Sequence, residues 1–194
     1  MNGQETQPSA GFKAIGAVEL SSIGVGYQVQ DEMLKAATVN LLVARTICSG
    51  KYFIVIGGAV SDVQSSVSVA LNAAEEALID HLVIPNVHPS VFPALGQSVV
   101  LAPGQAQALG VIESFSGVSI IAAADAAAKA AKVTLFRIHV AMALGGKGFC
   151  LLTGTVADVR AAVQAGAEEV RKRGLLVSEI VIPQPSPELF AEYI

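Results

Sequence analysis

The sequence predicts two tandem α/β domains of the α+β kind, each with the ferredoxin-like element order βαββαβ, and three observations carry this. The first is an internal repeat. Ala14-Ile15-Gly16-Ala17-Val18-Glu19 returns as Ala108-Leu109-Gly110-Val111-Ile112-Glu113, and Asp31, Lys35, Ala36, Ala37 and Val39 return at the same offset as Asp125, Lys129, Ala130, Ala131 and Val133. The register then slips by two, so that Lys51, Gly58, Val60, Asp62, Val63 and Val67 fall on Lys147, Gly154, Val156, Asp158, Val159 and Val163. A further slip aligns Ile84-Pro85, Pro89 and Phe92 with Ile182-Pro183, Pro187 and Phe190. A period this long marks a duplicated domain rather than a solenoid unit. The second observation is length: 194 residues divide into two domains of roughly 80 to 90 residues. The third is the alternation, within each copy, of β-branched apolar runs with alanine-containing stretches, which reads as strands and helices in turn.

Taken in order, residues 1 to 12 are polar with Gly, Ser and Pro and read as a loose tail. The first domain spans 13 to 92, a linker with Pro103-Gly104 spans 93 to 107, and the second domain spans 108 to 194. Each copy opens with a short apolar strand (14 to 20; 108 to 114) followed by a helix (about 24 to 37; 118 to 131). Two strands on either side of a short loop come next, Val39 to Thr46 and Tyr52 to Gly57, echoed by Val133 to Val140 and Gly148 to Thr153. In copy one the second helix opens with Ser61-Asp62-Val63-Gln64, a capping-box pattern. Its apolar face is Val63, Val67, Ala70, Leu71, Ala74 and Leu78. Copy two has Ala157 in place of the serine, so no cap is expected there. A last strand, Leu82 to Ile84 or Ile180 to Ile182, stops at a proline. This order places helices on one face of a mainly antiparallel sheet.

Composition narrows the function. The chain is 53% hydrophobic, 5% aromatic and 14% charged, which leaves little solvated surface and implies burial against other copies. A membrane span needs about 20 consecutive apolar residues, and the uncharged stretch from 82 to 112 is broken by Pro85, Pro89, Pro93, Gly96, Pro103 and Gly104. A net charge of -4 with no Lys/Arg run argues against nucleic acid as a partner. No secretory signal is expected from the polar residues Met1 to Gln7, and the two cysteines, Cys48 and Cys150, fit a reducing cytosol better than a disulfide framework.

Few residues suggest chemistry. No Ser/His/Asp arrangement or metal-spaced His/Cys group is present, and His81, His88 and His139 fall in unrelated contexts, so the chain is not expected to be an enzyme. Gly145-Gly146-Lys147 lacks the spacing of a phosphate loop. Cys150 lies in an apolar strand and reads as core. Cys48, in the turn Thr46-Ile47-Cys48-Ser49-Gly50-Lys51, reads from the residues alone first as an inert, half-buried small hydrophobe and only second as a thiol presented by a tight turn. The matching loop, Met142-Ala143-Leu144-Gly145-Gly146-Lys147, has no thiol, and its glycines permit left-handed backbone. His139 corresponds to Arg45, and each faces either a pore or the sheet surface. Asp31 and Lys35, like Asp125 and Lys129, are i, i+4 pairs with the acid first.

Gly16-Ala17-Val18-Glu19, Asp31 to Val39 and Gly57 to Val63, repeated as Gly110 to Glu113, Asp125 to Val133 and Gly154 to Val159, resemble the bacterial microcompartment shell domain. Two fused copies are similar to its tandem-domain class, in which three chains form a pseudo-hexameric tile with a central pore. Leu41-Leu42-Val43, Thr46-Ile47-Cys48, Gly50-Lys51, Asn86 to Val91 and Gly174 to Val177 resemble the T-type branch of propanediol-utilisation compartments. The resemblance implies a homotrimeric shell protein, located in a microcompartment shell in the cytoplasm, with other shell proteins as partners and a redox enzyme on one side. It implies a 4Fe–4S cluster in the pore, held by Cys48 from each of three chains, for electron transfer across the shell. Thr46, Ile47, Ser49, Gly50, Met142, Ala143, Leu144, Gly145 and Gly146 are the expected pore lining, and Lys35 and Lys129 the expected tile edges. Two other readings stay open: a metal-free tile whose pore conducts small metabolites, and a soluble ferredoxin-like ring-forming regulatory or binding protein.

Overall fold

The computed structural model describes residues 11–102, 104–105, 107–140 and 145–191, and the order βαββαβ occurs twice. The first copy consists of β1 (Ala14–Leu20), α1 (Ile23–Ala36), β2 (Val39–Ile47), β3 (Lys51–Gly58), α2 (Val60–Ala74) and β4 (Leu78–Pro85). A short helix, α3 (Val91–Leu95), precedes the second copy, which consists of β5 (Ala108–Ser114), α4 (Gly117–Ala130), β6 (Thr134–Val140), β7 (Gly148–Gly154), α5 (Val156–Lys172) and β8 (Leu176–Ile182). The two sheets have matching orders, β2-β3-β1-β4 and β6-β7-β5-β8, with every pairing antiparallel.

Alternation along the strands explains why the central strand β1 is buried throughout. Ala14, Val18 and Leu20 face α1 and α2, where they meet Val29, Met33, Val63 and Val67. Ile15 and Ala17 point the other way, into a core that continues through Phe53 and Val55 to Val118, Ile120 and Ile121 of the second copy. Gly16 stands on the helix side, where a Cβ would lie 2.7 Å from Val67 Cγ2, and Gly110 repeats this 2.7 Å from Val163 Cγ2. The repeated glycine therefore lets the second helix of each copy lie close on its sheet.

Three expectations change. Ser61 does not cap α2: it lies exposed inside the first turn, and the N-cap is Ala59, which makes no side-chain cap bond. The cap occurs in the other copy, where Thr155 accepts from the Asp158 backbone N–H at 3.2 Å. Helix start is set by where the preceding strand ends, at Gly58 and Gly154, and the residue after next in the strand-to-helix turn is already helical. Leu78 is not on the α2 face, because α2 ends at Ala74 and a 3-10 turn, Glu75–Ala77, leads into a β4 longer than the sequence suggests. Phe12, placed in the tail by composition, packs edge-on against Phe92 at 5.6 Å. The rest of the expected tail, residues 1 to 10, lies outside the described residues.

The cap assignment is testable. Thr155→Ala removes a hydroxyl that satisfies a free helix donor and should lower unfolding free energy by about 1 kcal/mol. Ser61→Ala should stay within about 0.5 kcal/mol of wild type. Urea denaturation of both variants checks this, and equal losses would return the cap to Ser61.

Candidate pore rim and domain junction

A three-residue turn, Cys48–Gly50, joins β2 to β3, and Ser49 and Gly50 take left-handed φ values of 67° and 72°. That conformation reverses the chain over few residues and leaves Cys48 partly exposed at the tip. Thr46, Ser49 and Gly50 are exposed beside it, while the Ile47 side chain is buried in the core that spans both copies. In the second copy Gly145 and Gly146 are left-handed as well, at 62° and 88°. Met142, Ala143 and Leu144 lie outside the described residues.

The fold brings these two turns side by side. Arg45 Nη2 reaches across the junction and donates to the Val140 carbonyl at 3.2 Å, where the second loop begins. Lys51 Nζ stands 3.5 Å from where a Cβ of Gly146 would be. Arg45 therefore belongs to the junction, and its buried Nε has no hydrogen-bond partner among the described residues. Its counterpart His139 instead stacks on Phe149, with ring centroids 5.2 Å apart and planes 13° from parallel.

Each turn is anchored at its base by an ion pair that sequence reasoning missed. Lys51 Nζ bonds Glu19 Oε1 at 2.8 Å, with Glu19 fully buried, and Lys147 Nζ bonds Glu113 Oε1 at 2.7 Å. The signal was present, since both acids and both lysines return in the repeat. The Lys147 hydrogen bond holds the Glu113 carboxyl below the usual carboxylate range, with the Ser178 hydroxyl, at 3.1 Å, adding to the effect against the opposing cost of burial.

A second polar group ties the copies together. Asp80 on β4 accepts from Ser116 Oγ at 2.7 Å, Ser119 Oγ at 3.2 Å, Arg173 Nη1 at 3.1 Å and the His81 backbone N–H at 2.8 Å. Ser116 is the N-cap of α4 and accepts from the Val118 and Ser119 backbone N–H groups. A carboxylate at this helix N-terminus is favoured by the helix dipole. Ser116 Oγ also approaches Glu19 Oε2 at 3.4 Å, which links this group to the base of the Cys48 turn.

The two i, i+4 pairs differ. Asp31 and Lys35 meet at 2.5 Å on open surface. Asp125 and Lys129 meet at 2.6 Å, but Asp125 is buried and its other oxygen accepts from the His88 backbone N–H at 2.7 Å, a contact between copies. Cys150 is fully buried in the second core, and burial pushes its thiol pKa up to about 12, which makes it a poor metal ligand. Among the described residues no group of three or more His, Cys, Asp or Glu is placed to hold a metal, and no helix is long and apolar enough to cross a membrane.

Comparison with known proteins gives concordant findings. The BMC domain family model matches residues 14–87 and again 108–185. The chain is 42% identical over 182 residues to the bacterial microcompartment shell protein PduT of Citrobacter freundii, covering 94% of this chain and 98% of that one. A crystal structure of a microcompartments protein from Desulfitobacterium hafniense DCB superposes with a TM-score of 0.84 at 45% identity, covering 91% and 97% of the two chains. A fused permuted hexameric shell protein from the RMM microcompartment shares the fold, with a TM-score of 0.59 at 22% identity over 81% of this chain and 83% of that one.

The Lys147–Glu113 pair predicts a pH dependence. A carboxyl whose folded pKa is depressed contributes stability that is present above its unfolded value and lost as pH falls through the folded one. Melting temperatures should thus fall in acid below the ordinary Glu113 value of 4.5, and Glu113→Gln should flatten that limb while lowering stability at neutral pH. Thermal melts across this range check it, and superimposable acid limbs would remove the pair from the account.

Proposed function

This chain belongs to the BMC-domain family and is a structural shell protein of a bacterial microcompartment, and from that premise we propose that three copies form a pseudo-hexameric tile whose central pore carries a 4Fe–4S cluster. The observation that supports the reading is the convergence of the two turns: Arg45 bonded to the Val140 carbonyl and Lys51 beside Gly146 bring the Cys48 turn and the 145–146 turn together. A chain with two domains supplies two of six rim segments, so three chains complete the ring. The microcompartment shell in the bacterial cytoplasm is its location, other shell proteins are its neighbours, and its role is structural rather than enzymatic.

The donor set is compatible with a cluster shared between chains. Cys48 is partly exposed on a tight turn, and the other thiol, Cys150, is buried away from the rim. With no multidentate group inside one chain among the described residues, a cluster needs thiolates from several chains, and threefold symmetry provides three from Cys48. When bound, such a cluster supplies one-electron transfer. The chain's own contribution is geometric: left-handed Ser49 and Gly50 present the thiol, and the Lys51–Glu19 pair fixes the base of the turn. Lys35 and Lys129 are proposed as tile-edge residues, since both retain solvent exposure on the outer ends of α1 and α4. A redox enzyme is the proposed partner on one side of the shell.

Native mass spectrometry should give three chain masses, and a dominant monomer or six-chain ring would sink the tile. In anaerobic preparations Cys48→Ser should lose the broad visible absorbance and the EPR signal while the trimer persists, because a serine oxygen is a poor ligand for cluster iron. Cys150→Ser should keep both signals. Undiminished iron and sulfide in Cys48→Ser, or a colourless wild type after reconstitution, would leave a metal-free tile conducting small metabolites. The double variant Lys35→Glu and Lys129→Glu should keep the trimer and lose extended sheets, since like-charge juxtaposition in an interface costs several kcal/mol.

A further inference from the structure

The flank where the second helix of each copy passes the edge strand is closed in one copy and open in the other. Register makes the strand positions equivalent: His81 lies opposite Val18 as Glu179 lies opposite Ile112, and Val83 lies opposite Gly16 as Val181 lies opposite Gly110. In the second copy Arg171 spans this flank, bonding Glu179 at 3.0 Å and Glu168 at 2.6 Å. At the offset that carries Val67 to Val163, Arg171 falls on Glu75. Glu75 stands just past the end of α2 with a φ of 45° and makes no ion pair among the described residues. The first copy therefore lacks the bridge, and a cleft of about 450 Å³ lies open between α2 and β4.

The lining of this cleft is apolar below and polar above. Val67 and Leu71 of α2 and Val83 of β4 are partly or fully buried beneath it, while Gln64, Ser68 and His81 are exposed around it and Arg173 of the second copy lines it as well. The side chains of Gln64, Ser68 and His81 make no hydrogen bond among the described residues, and Arg173 uses only Nη1, which donates to Asp80 at 3.1 Å. Asp80 does not cancel that guanidinium fully. Its carboxylate also accepts from the Ser116 and Ser119 hydroxyls at the N-terminus of α4, where the helix dipole is equivalent to about half a positive charge. Polar donors around an apolar floor, in a cavity of this size, are the composition of a small-molecule site. We propose that the cleft binds a short-chain aliphatic carboxylate, whose oxygens accept from Arg173, Ser68 and Gln64 and whose chain lies on Val67, Leu71 and Val83. The excess positive charge favours an anion over a neutral alcohol, and the apolar floor favours an aliphatic anion over a bare inorganic one. Because α2 belongs to one copy and Arg173 to the other, the ligand also ties the two copies together. The site is contained in one chain, so it goes beyond the ring and cluster readings and stands independently of both.

Nuclear magnetic resonance on the full chain with labelled Val and Leu methyl groups tests this, using sodium butyrate as the probe against sodium chloride at equal ionic strength. Shifts at Val67, Leu71 and Val83 should saturate with a Kd on the order of millimolar, the range a ligand of so few heavy atoms supports. 1-Butanol, which lacks the charge, and inorganic phosphate, which lacks the chain, should each bind at least tenfold more weakly. Butyrate should raise the melting temperature in proportion to occupancy, as any ligand of the folded state does. Ser68→Phe fills the cleft from an exposed helix position and leaves Asp80 its donors, so it should abolish binding in a protein that circular dichroism shows folded. Arg173→Gln and Gln64→Ala, the first by tenfold or more, should weaken binding as well. Four results would each overturn the proposal: methyl shifts that do not saturate, butanol as tight as butyrate, phosphate as tight as butyrate, or undiminished binding by Ser68→Phe.

Discussion

The packing of α4 against the outer sheet face of the first copy is the constraint from which the rest of the molecule takes its geometry. Ile15, Ala17, Phe53, Val55 and Leu82 on one side and Val118, Ile120 and Ile121 on the other form a single continuous core. Two domains of this size have modest cores alone, and removing this apolar area from water at about 25 cal/mol per Å² stabilises both at once. Gly117 at the start of α4 lies against Phe53, where a Cβ would come within 3.3 Å of the ring. That close approach sets the distance between the copies, and the distance sets how the turns at one end of the junction meet.

Polar contacts fix what the apolar contact leaves free. Hydrophobic burial is non-directional, whereas Asp80 with its three donors from the second copy, Ser116, Ser119 and Arg173, and Asp125 with the His88 backbone hold the copies in one rotation. The buried Glu19–Lys51 pair belongs to the same category. Buried ion pairs contribute little net stability, yet removing one partner costs about 3–5 kcal/mol because a charge is left unpaired. Such a pair is therefore intolerant of drift, and it stands directly below the turn that carries Cys48. Ser116, shared between Asp80 and Glu19, connects the orientation of the copies to the orientation of that turn.

Duplication supplied two similar copies, and surroundings then diverged. In the copy whose helix is covered, the positions facing the junction are small or aliphatic: Gly117, Val118, Ile121 and Ala128. In the copy whose helix is not covered, the equivalents are Ile23, Gly24, Tyr27 and Leu34, three of them larger than what they replace. The turn sequences diverged similarly, with a thiol in one and paired glycines in the other. A single-domain subunit must use one sequence at every position of a ring, whereas a fused chain can place different chemistry at alternate positions.

What the sequence determined alone was whatever depends on local periodicity and on comparison of the chain with itself. The repeat established two domains, and the short apolar run placed β1 at its observed limits, because a strand buried on both faces is apolar on both, interrupted here by the one charged residue Glu19. The tight turn at Cys48 was legible from Ser49-Gly50 between two β-branched runs. Tertiary structure decided the rest. Which serine or threonine caps a helix depended on where the preceding strand released the chain, so Ser61 was misread and Thr155 overlooked. Phe12 was misplaced because a single aromatic in a polar segment shows no period, and only Phe92 gives it a partner. The Glu19–Lys51 pair joins residues adjacent on neighbouring strands but distant in the chain, and the exposure of Tyr27 against the burial of Ile121 depends on what lies opposite. Neither is recorded in local sequence, because the pair exists only once β1 and β3 have paired in one sheet and the burial of Ile121 only once α4 has packed against the sheet of the first copy.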